Sequence, residues 1–510
     1  MSTDQWNTMA LVLALAASLG CGMDQGTPPA RASDTSPAGE QPVAAAPPDT
    51  FGVPSLDQLG RLASQRWTFD LDSMVARRVI RVLVVPSRML YFVDRGSQRG
   101  TAYETVQEFE RTLNRKLGTG ALPVECVFIP VARDELFSRL SEGRGDLAVA
   151  ALTVTPERER LVDFSVPMYT EGREIVVTGP GAPPLRAIED LAGQEVYVRA
   201  SSSHAEHIRR LNQQWAREGR KPIVIHPADE NLEAGDILEL VNAGVVPIAV
   251  VDGAYADFYR PLLPSLMVRD DLVLSSGASL AWALRKGTPR LRAEVDEFVR
   301  QHRVGTTFGN VVARRYFEHN RWITNPASPE QTRRFEEVVG AFERAGAEFG
   351  LDPLLLLAQG HQESGLDQRR RSSAGAVGVM QIKPSTAAGD PINITGVDQL
   401  ENNVRAGAKY LRFIIDRYYR DASMTPLDKE VFAMASYNAG PARIAGLRRQ
   451  AGAAGLDSNR WFQHVELLAA REIGRETVDY VSNIYKYYLA QRLLQQRRAA
   501  RERARPSSSP

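Results

Sequence analysis

Short apolar runs alternate with amphipathic segments between about residues 72 and 325. The strand-like runs are residues 79–85, 124–131, 146–152, 195–199, 223–227, 246–252 and 280–284. Between them, segments such as 102–117, 133–142 and 289–302 repeat apolar positions with helical spacing. This order predicts two α/β lobes that are joined by crossing strands and enclose a cleft.

The pattern changes after Asn325-Pro-Ala-Ser-Pro329, where strand signals almost vanish. Asp352 and Pro353 have the residue types of a helix N-cap and a first helical position. The predicted helices are residues 330–349, 353–364, 403–419, 428–437, 459–471 and 475–498. This region is therefore expected to be a mainly α domain over residues 326–498, followed by an Arg- and Ser-rich tail over residues 499–510.

Residues 9–19 form an apolar run that is too short to span a bilayer but suits a signal peptide. The run leads to Cys21, and the Pro-, Ala-, Ser- and Thr-rich stretch behind it has the composition of a flexible tether, assigned to residues 22–71. The arrangement resembles a bacterial lipoprotein signal over residues 1–21, which implies lipidation of Cys21 and sorting to the outer membrane. A plain secretory signal, or a different start codon nearby, is the alternative.

Composition narrows the class of protein. The 510 residues include 62 basic and 61 acidic residues, 43% are hydrophobic, and 24% are charged, which is the globular average and excludes wholesale disorder. The balanced charge gives no basis for nucleic-acid binding. Two cysteines and seven histidines show no metal-ligand spacing, so no metal or cofactor is expected.

Three strings in the α/β region occur in a characteristic order: Gly143-Arg-Gly-Asp146, Leu152-Thr-Val-Thr155-Pro-Glu-Arg158 and Val162-Asp-Phe-Ser165. Their order resembles the family 3 extracellular solute-binding proteins. The resemblance implies that Arg158 grips a ligand carboxylate, that Asp252 binds its ammonium group and that Ser202 donates a hydroxyl. An amino acid or a stem peptide is the implied ligand. Without a ligand, Arg158 would be a surface turn residue, and Asp252 and Ser202 would be helix caps.

Four strings in the α region are spaced as in the soluble-lytic-transglycosylase domain, a goose-lysozyme-like fold that cleaves peptidoglycan. They are Gln362-Glu363-Ser364-Gly365, Gly375-Ala-Val-Gly378-Val-Met380-Gln381, Ala435-Ser-Tyr437-Asn438-Ala439-Gly440 and Glu476-Thr-Val-Asp-Tyr480. Together with the region before it, the domain resembles the membrane-bound lytic murein transglycosylases. The implied fold is a two-lobed periplasmic-binding-protein-like domain over residues 72–325 and a mainly α catalytic domain.

The residue chemistry around Glu363 supports a catalytic acid. A carboxyl group at the end of an apolar helix can stay protonated at neutral pH and donate to a glycosidic oxygen. Hydrolases usually add a second carboxylate, but between Glu363 and Gln381 the only other acid is Asp367. A transglycosylase needs none, because the sugar's own C6 hydroxyl closes onto C1.

The resemblance implies further substrate contacts. Ser372 would contact the N-acetyl group or Glu363, Tyr437 would stabilise positive charge, and Asn438 would position the sugar. Substrate contacts are also implied for Met380, Gln381, Glu476 and Tyr480. For each, a structural role is the alternative: a turn residue for Ser372, core packing for Tyr437 and Met380, and a first-turn acid for Glu476.

The sequence therefore predicts an exported, lipid-anchored enzyme that acts on peptidoglycan glycan strands, cleaves the MurNAc-GlcNAc β-1,4 bond and forms 1,6-anhydroMurNAc. Its first domain would bind a ligand and regulate the enzyme. One alternative is a muramidase on the same fold. Another is a non-enzymatic solute-binding sensor with a degenerate wall-binding domain.

Overall fold

The computed structural model describes residues 62, 65–87, 89–94, 97–317 and 329–504. The predicted signal peptide with Cys21, most of the predicted tether, the junction between the two predicted domains and the last residues of the tail lie outside the described residues. Among the helices that are described, none has both the length and the apolar character needed to cross a membrane.

The strands of the α/β region are short except for two. They are β1 Val79–Val84, β2 Phe92–Asp94, β3 Ser97–Arg99, β4 Glu125–Pro130, β5 Leu147–Thr153, β6 Asp163–Phe164, β7 Tyr169–Thr178, β8 Glu195–Arg199, β9 Val224–Ala228, β10 Ile248–Asp252 and β11 Met267–Leu284. Within the described residues, nine of them form one sheet in the order β4-β1-β5-β11-β7-β10-β8-β9, with β6 beside β11. The strands β2 and β3 form a separate hairpin.

The two lobes meet at β7 and β11. In the first lobe β1 runs parallel to β4 and β5, and in the second lobe β8 runs parallel to β9 and β10. The strand β11 is antiparallel to β7 over its first part and to β5 over residues 280–284, so it passes from one lobe to the other. The predicted α/β lobes with crossing strands are confirmed.

Helices cover the faces of the sheet. They are α1 Leu71–Arg77, α2 Thr101–Leu117, α3 Leu136–Ser141, α4 Pro156–Glu159, α5 Ser203–Arg217, α6 Ala234–Asn242, α7 Gly253–Tyr259, α8 Pro289–His302 and α9 Thr307–Phe317. In the first lobe Phe109 of α2, Phe298 of α8 and Trp282 of β11 pack with ring centroids 5.4 to 5.7 Å apart. Such aromatic packing joins the helices to the sheet.

The remaining helices form the second domain. They are α10 Pro329–Phe349, α11 Pro353–Ser364, α12 Pro384–Ala388, α13 Leu400–Tyr418, α14 Pro426–Ala439, α15 Pro441–Ala453, α16 Glu466–Glu472 and α17 Arg475–Ala504. Asp352 caps α11 by accepting from Leu354 N at 2.9 Å, and Gly365 ends it in a left-handed conformation with φ +65°. The predicted mainly α domain is confirmed.

Three sequence expectations differ from the structure. The helix predicted over 459–471 begins only at Glu466, because Gln463 has φ +61° and Phe462 has an extended backbone in the turn before it. The strand β11 is longer than the predicted run 280–284, since its first part carries the exposed residues Asp270 and Asp271 and lacks an apolar signature. The strand β7 was not predicted.

The second lobe packs directly on the helical domain. One apolar cluster contains Ile237 and Val241 of α6 together with Tyr485 and Leu489 of α17. Beside it, Lys486 Nζ lies 2.5 Å from Glu239 Oε2, and both side chains are almost fully buried. The helix α17 therefore packs against the second lobe and also contributes to the core of the helical domain.

Candidate active site and solute cleft

Glu363 lies in the last turn of α11 and is half-buried. The hydroxyl of Tyr480, on α17, donates to Glu363 Oε1 at 2.6 Å. The apolar residues Leu355, Leu356 and Leu357 anchor α11 in the core and fix the position of its last turn. The Glu363 carboxyl group therefore lies at the end of a helix that is anchored in the core, and one of its two oxygens accepts a hydrogen bond from Tyr480.

Burial raises the pKa of Glu363 to about 7, and the hydrogen bond from Tyr480 acts in the opposite direction. Burial and the nearby Glu363 carboxylate raise the pKa of Tyr437 and of Tyr480 well above the ordinary value. Both hydroxyls therefore keep their protons at neutral pH. The carboxyl group exchanges its proton near neutrality, which is the property of a general acid and base.

Tyr437 is placed beside Glu363 by a backbone contact. Its hydroxyl donates to the carbonyl of Met380 at 2.8 Å, and its ring packs against Tyr410 with centroids 5.4 Å apart. Met380 itself is fully buried, and its side chain fills the space that a Cβ on Gly407 would need. The Met380 side chain therefore packs in the core and its carbonyl meets Tyr437, and the expected substrate contact of Met380 stays a prediction.

Asn438 and Glu476 lie at the exposed edge of the site. Asn438 Oδ1 accepts from the hydroxyl of Thr477 at 2.8 Å, which ties the end of α14 to the start of α17. Glu476 lies in the first turn of α17 and is exposed. Glu476 lies four residues before Tyr480 on the same helix, and the substrate roles of Asn438 and Glu476 stay predictions.

Ser372 and Gln381 belong to the loop that follows α11. The Ser372 hydroxyl accepts from Ala376 N at 3.0 Å, and Gln381 donates from Nε2 to the carbonyl of Gly378 at 2.8 Å. Gly378 has φ +75°, and a Cβ there would lie 2.3 Å from Asn403 Nδ2. The glycine in this motif is therefore required by the fold of the loop. The substrate contacts of Ser372 and Gln381 stay predictions.

The one acid near Glu363 in sequence is turned away from it. Asp367 accepts from the backbone N–H of Arg369 at 2.9 Å and pairs with its side chain, which is 88% exposed. Within the described part of the chain, no neighbouring carboxylate contributes to the pKa shift of Glu363. Asp367 is therefore engaged by Arg369 and does not contribute to the pKa shift of Glu363.

Two buried side chains that sequence reasoning missed support the site. Gln359 lies four residues before Glu363 on α11, and its Nε2 donates to the Tyr480 hydroxyl at 3.2 Å. Asn403 accepts from Met380 N at 2.8 Å and donates to the carbonyls of Val377 and Val397. A polar residue within an apolar helix, at the i, i+4 spacing from the catalytic acid, is the signal that would have identified Gln359.

The solute cleft is spanned by contacts between the lobes. Arg158 Nε lies 2.9 Å from Glu206 Oε1, and the guanidinium also donates to the carbonyls of Thr153 and Ser201. The Arg158 side chain is only 8% exposed. Arg158 was expected to bind a ligand carboxylate. In this structure the carboxylate that it binds is the chain's own Glu206.

Ser202 and Asp252 differ in what they contact. Ser202 caps α5 by accepting from Ala205 N at 3.2 Å and donates to the carbonyl of Arg199, so its hydroxyl makes the capping contacts. Asp252 makes no capping hydrogen bond to α7, and its Oδ1 lies 3.4 Å from His204 Nε2. Although burial opposes it, the contact with His204 lowers the pKa of Asp252. The ligand roles of both residues stay predictions.

Two family models match the chain. The bacterial extracellular solute-binding proteins, family 3, match residues 80–319, and the transglycosylase SLT domain matches residues 340–458. The chain therefore contains a region similar to the family 3 solute-binding proteins, followed by a region similar to the transglycosylase SLT domain, in the order that the sequence motifs predicted.

Similar proteins match this chain along most of its length. Membrane-bound lytic murein transglycosylase F of Desulfosudis oleivorans is 27% identical over 428 residues, which cover 80% of this chain and 89% of that protein. The protein of the same name from Ectopseudomonas mendocina is 27% identical over 442 residues, covering 82% and 85%. The predicted resemblance to this group is confirmed. An ancestral arginine-binding protein bound to arginine is 22% identical, with a TM-score of 0.38, and covers 47% of this chain and 99% of its own.

Proposed function

We propose that this protein is a peptidoglycan lytic transglycosylase that cleaves the β-1,4 bond between MurNAc and GlcNAc. The observation that carries the proposal is the Glu363 carboxyl group, whose pKa is about 7 and whose Oε1 accepts a hydrogen bond from Tyr480. At neutral pH about half of such groups hold a proton, so the same residue can donate and accept one. The transglycosylase domain and the similar proteins named above support this reaction.

The reaction needs one residue for two proton transfers. Glu363 donates its proton to the glycosidic oxygen as the C1–O4 bond breaks. The resulting carboxylate then takes the proton from the C6 hydroxyl of MurNAc, and the C6 oxygen forms the new bond to C1. The product ends in 1,6-anhydroMurNAc, no water is consumed, and the acid is restored. Because Tyr480 occupies Oε1, we assign the transferred proton to Oε2.

The surrounding polar groups have supporting roles in this proposal. Tyr437, next to Glu363, stabilises positive charge that develops at the sugar ring, and Asn438 positions the sugar. Ser372 and Gln381 contact the substrate from the loop side, while Glu476 borders the cleft at the start of α17. Tyr480 touches the acid directly, so it sets the orientation of the carboxyl group.

The identity of the product separates this proposal from a muramidase. We expect purified murein sacculi to release muropeptides with anhydro ends, each lighter by one water molecule than the product with a free reducing end. Mass spectrometry of the soluble products measures this directly. A product with free reducing ends would replace the lyase assignment by hydrolysis.

The matched variants for this experiment are Glu363→Gln and Asp367→Asn. Glu363→Gln keeps the shape of the side chain but has no proton to donate, and loss of a general acid costs roughly 10²- to 10⁴-fold in rate. Asp367→Asn leaves an acceptor for Arg369 N and is expected to retain activity. Equal activity in Glu363→Gln and the wild type would refute the catalytic assignment. If neither protein released muropeptides, the non-enzymatic sensor would be the favoured alternative.

We propose that the solute-binding domain regulates this activity through α17. Lobe two contacts α17 at Tyr485, whose hydroxyl donates to Asp229 Oδ2 at 2.9 Å, and at Lys486. The same helix carries Tyr480 one turn and a half earlier. A change in the position of the lobe would therefore be transmitted to the hydroxyl that holds Glu363. An amino acid or a released stem peptide, bound through Arg158, Ser202 and Asp252, is the proposed ligand.

We propose that the protein is exported and held at the periplasmic face of the outer membrane by lipid on Cys21. The sequence around Cys21 and the words "membrane-bound" in the names of the similar proteins support this. Labelling of cells with a fatty-acid analogue tests it. We expect label on the wild type and on Cys126→Ser, since Cys126 is buried in β4, and no label on Cys21→Ser. Label that persists in Cys21→Ser would refute the anchor.

A further inference from the structure

Three potential metal ligands lie together in lobe two, away from Glu363. They are Glu174 of β7, His204 in the first turn of α5 and Asp252 at the end of β10. Glu174 and Asp252 are direct partners in the antiparallel β7–β10 pair, so their side chains leave neighbouring positions on the sheet. One ligand atom from each of the three residues lies within 4.8 Å of the others.

The distances match the needs of a small cation. His204 Nε2 lies 3.4 Å from Asp252 Oδ1 and 3.9 Å from Glu174 Oε1. Ligand atoms of a tetrahedral Zn²⁺ ion with bonds of 2.0–2.1 Å are about 3.3 Å apart. The two distances from His204 are therefore within about 0.6 Å of that spacing, and all three ligand atoms lie within 4.8 Å of one another.

Further hydrogen-bonding groups hold the carboxylate of Glu174. His207, one turn after His204, has Nδ1 at 2.6 Å from Glu174 Oε2, and the Ser203 hydroxyl donates to Glu174 Oε1 at 2.7 Å. Metal-bound carboxylates are held in this way by outer partners that fix their orientation. Glu174 is buried, whereas the Asp252 side chain is 34% exposed, which gives an ion access from solvent.

The charge balance of the region also suits a cation. The carboxylates of Glu174 and Asp252 face the imidazoles of His204 and His207, and the nearby guanidinium groups of Arg133 and Arg199 share the carboxylate of Glu233, at 2.9 and 3.4 Å. Among the described ion pairs, neither carboxylate of the cluster is paired with Arg133 or Arg199. Imidazole nitrogen and carboxylate oxygen are ligand types that Zn²⁺ and related ions prefer.

We propose that Glu174, His204 and Asp252 bind one divalent transition-metal ion of the Zn²⁺ type. The three side chains supply three of four tetrahedral positions and leave the fourth to water. Because Asp252 is also the proposed partner of the ligand ammonium group, a metal ion and an amino acid would compete for its carboxylate. No metal-ligand spacing is visible in the sequence, because His204 and Asp252 are 48 positions apart and meet only through the fold. The proposal does not depend on the wall-cleaving activity, which is assayed separately.

The test uses the full chain after treatment with a chelator and removal of the chelate. Calorimetric titration with ZnCl₂ is expected to show one ion per chain, and Co²⁺ is expected to give the intense visible absorption of a tetrahedral site. His204→Gln and Asp252→Asn each remove a ligand and should abolish the tight binding. His207→Gln removes only a supporting group and should weaken binding by roughly 10- to 100-fold.

His226→Gln is the control, since His226 lies in the same lobe but stacks on Tyr197 outside the cluster. It should bind Zn²⁺ as the wild type does. Circular dichroism checks that each variant is folded. If one of the two ligand variants unfolds, the weaker Zn²⁺ binding expected of His207→Gln still tests the proposal. Absence of Zn²⁺ binding, or binding that is equal in His204→Gln, Asp252→Asn and the wild type, would overturn the proposal.

Discussion

The hydroxyl of Tyr480 donates a hydrogen bond of 2.6 Å to Oε1 of Glu363, across 117 positions of sequence. It joins α17, which also contacts the solute-binding lobe, to the last turn of α11. Because a hydrogen bond to the charged form favours that form, Tyr480 holds the pKa of Glu363 below the value that burial alone would give. Burial still dominates, and the pKa remains near 7.

This relationship predicts the pH dependence of Tyr480→Phe. In the wild type we expect kcat/KM to fall as the pH rises through about 7, since Glu363 then loses the proton that it must donate. Loss of the Tyr480 hydroxyl removes the group that lowers the pKa, so the alkaline limb should move to higher pH while the plateau rate decreases. The release of muropeptides as a function of pH measures both effects.

Tyr488→Phe is the matched control for that profile. Tyr488 lies on the same helix as Tyr480, but its hydroxyl interacts with Asp352. The alkaline limb of the pH profile of Tyr488→Phe should therefore coincide with that of the wild type. An alkaline limb that moves to lower pH in Tyr480→Phe, or one that does not move, would contradict the proposed role of the hydrogen bond.

A second prediction concerns stability. Glu363 has a pKa of about 7 in the folded protein and about 4.5 when exposed, so the folded state holds the proton more tightly between these values. The free energy of unfolding should therefore decrease from pH 4.5 to pH 7 by up to about 3 kcal/mol from this residue. Glu363→Gln removes this contribution, so relative to the wild type it should be more stable at pH 8 than at pH 4.

Urea unfolding at the two pH values measures the difference. Glu343→Gln serves as the control, since Glu343 is exposed on α10 of the same domain. It should shift the free energy of unfolding equally at both pH values. If Glu363→Gln behaved like Glu343→Gln, the carboxyl group would not be destabilised by burial.

Local sequence patterns predicted the helices and the catalytic acid. They did not predict the long-range contacts that fix the position of these elements. Asp352, Pro353 and Gly365 act within a few residues of α11, so capping rules predict its ends. The contacts of Glu363 with Tyr480, and of Arg158 with Glu206, join residues that are far apart in sequence, and no local pattern encodes them. The burial of the Met380 side chain was not predicted for the same reason, because it depends on Gly407 of α13.

A third prediction concerns the buried pair between the two domains. The side chains of Lys486 and Glu239 are 4% and 2% exposed, so Lys486→Met removes a cation that lies 2.5 Å from a buried carboxylate and that also pairs with Asp236. We expect a loss of about 3 kcal/mol in the free energy of unfolding. The double variant Lys486→Met, Glu239→Leu replaces both charges by apolar groups and should recover most of that loss.

A double-mutant cycle in urea measures the coupling between the two residues. Gln463→Asn, which shortens the side chain that donates to Asn231 Oδ1 in an exposed contact at the same interface, should change stability by less than about 0.5 kcal/mol. Additive effects of the two single substitutions would show that the pair does not stabilise the contact.

The final prediction concerns the ion pair that spans the solute cleft. The Glu206 carboxylate accepts a hydrogen bond from Arg158 Nε at 2.9 Å and another from the Thr155 hydroxyl at 2.7 Å. A ligand carboxylate must therefore compete with Glu206 for Arg158. Glu206→Gln keeps the size of the side chain but removes its charge. If Arg158 binds ligand, affinity for an amino acid should rise by roughly ten-fold, equivalent to about 1.4 kcal/mol. Calorimetric titration with L-arginine and L-glutamate measures it.

Glu157→Gln provides the comparison, because Glu157 pairs with Arg210 at the exposed rim of the same cleft and does not touch Arg158 in the described contacts. It should leave the affinity unchanged. Arg158→Lys should lose the gain produced by Glu206→Gln, since an ammonium group cannot bind a carboxylate in the bidentate manner of a guanidinium. Equal affinities in Glu206→Gln and the wild type would mean that Arg158 serves only to hold the two lobes together.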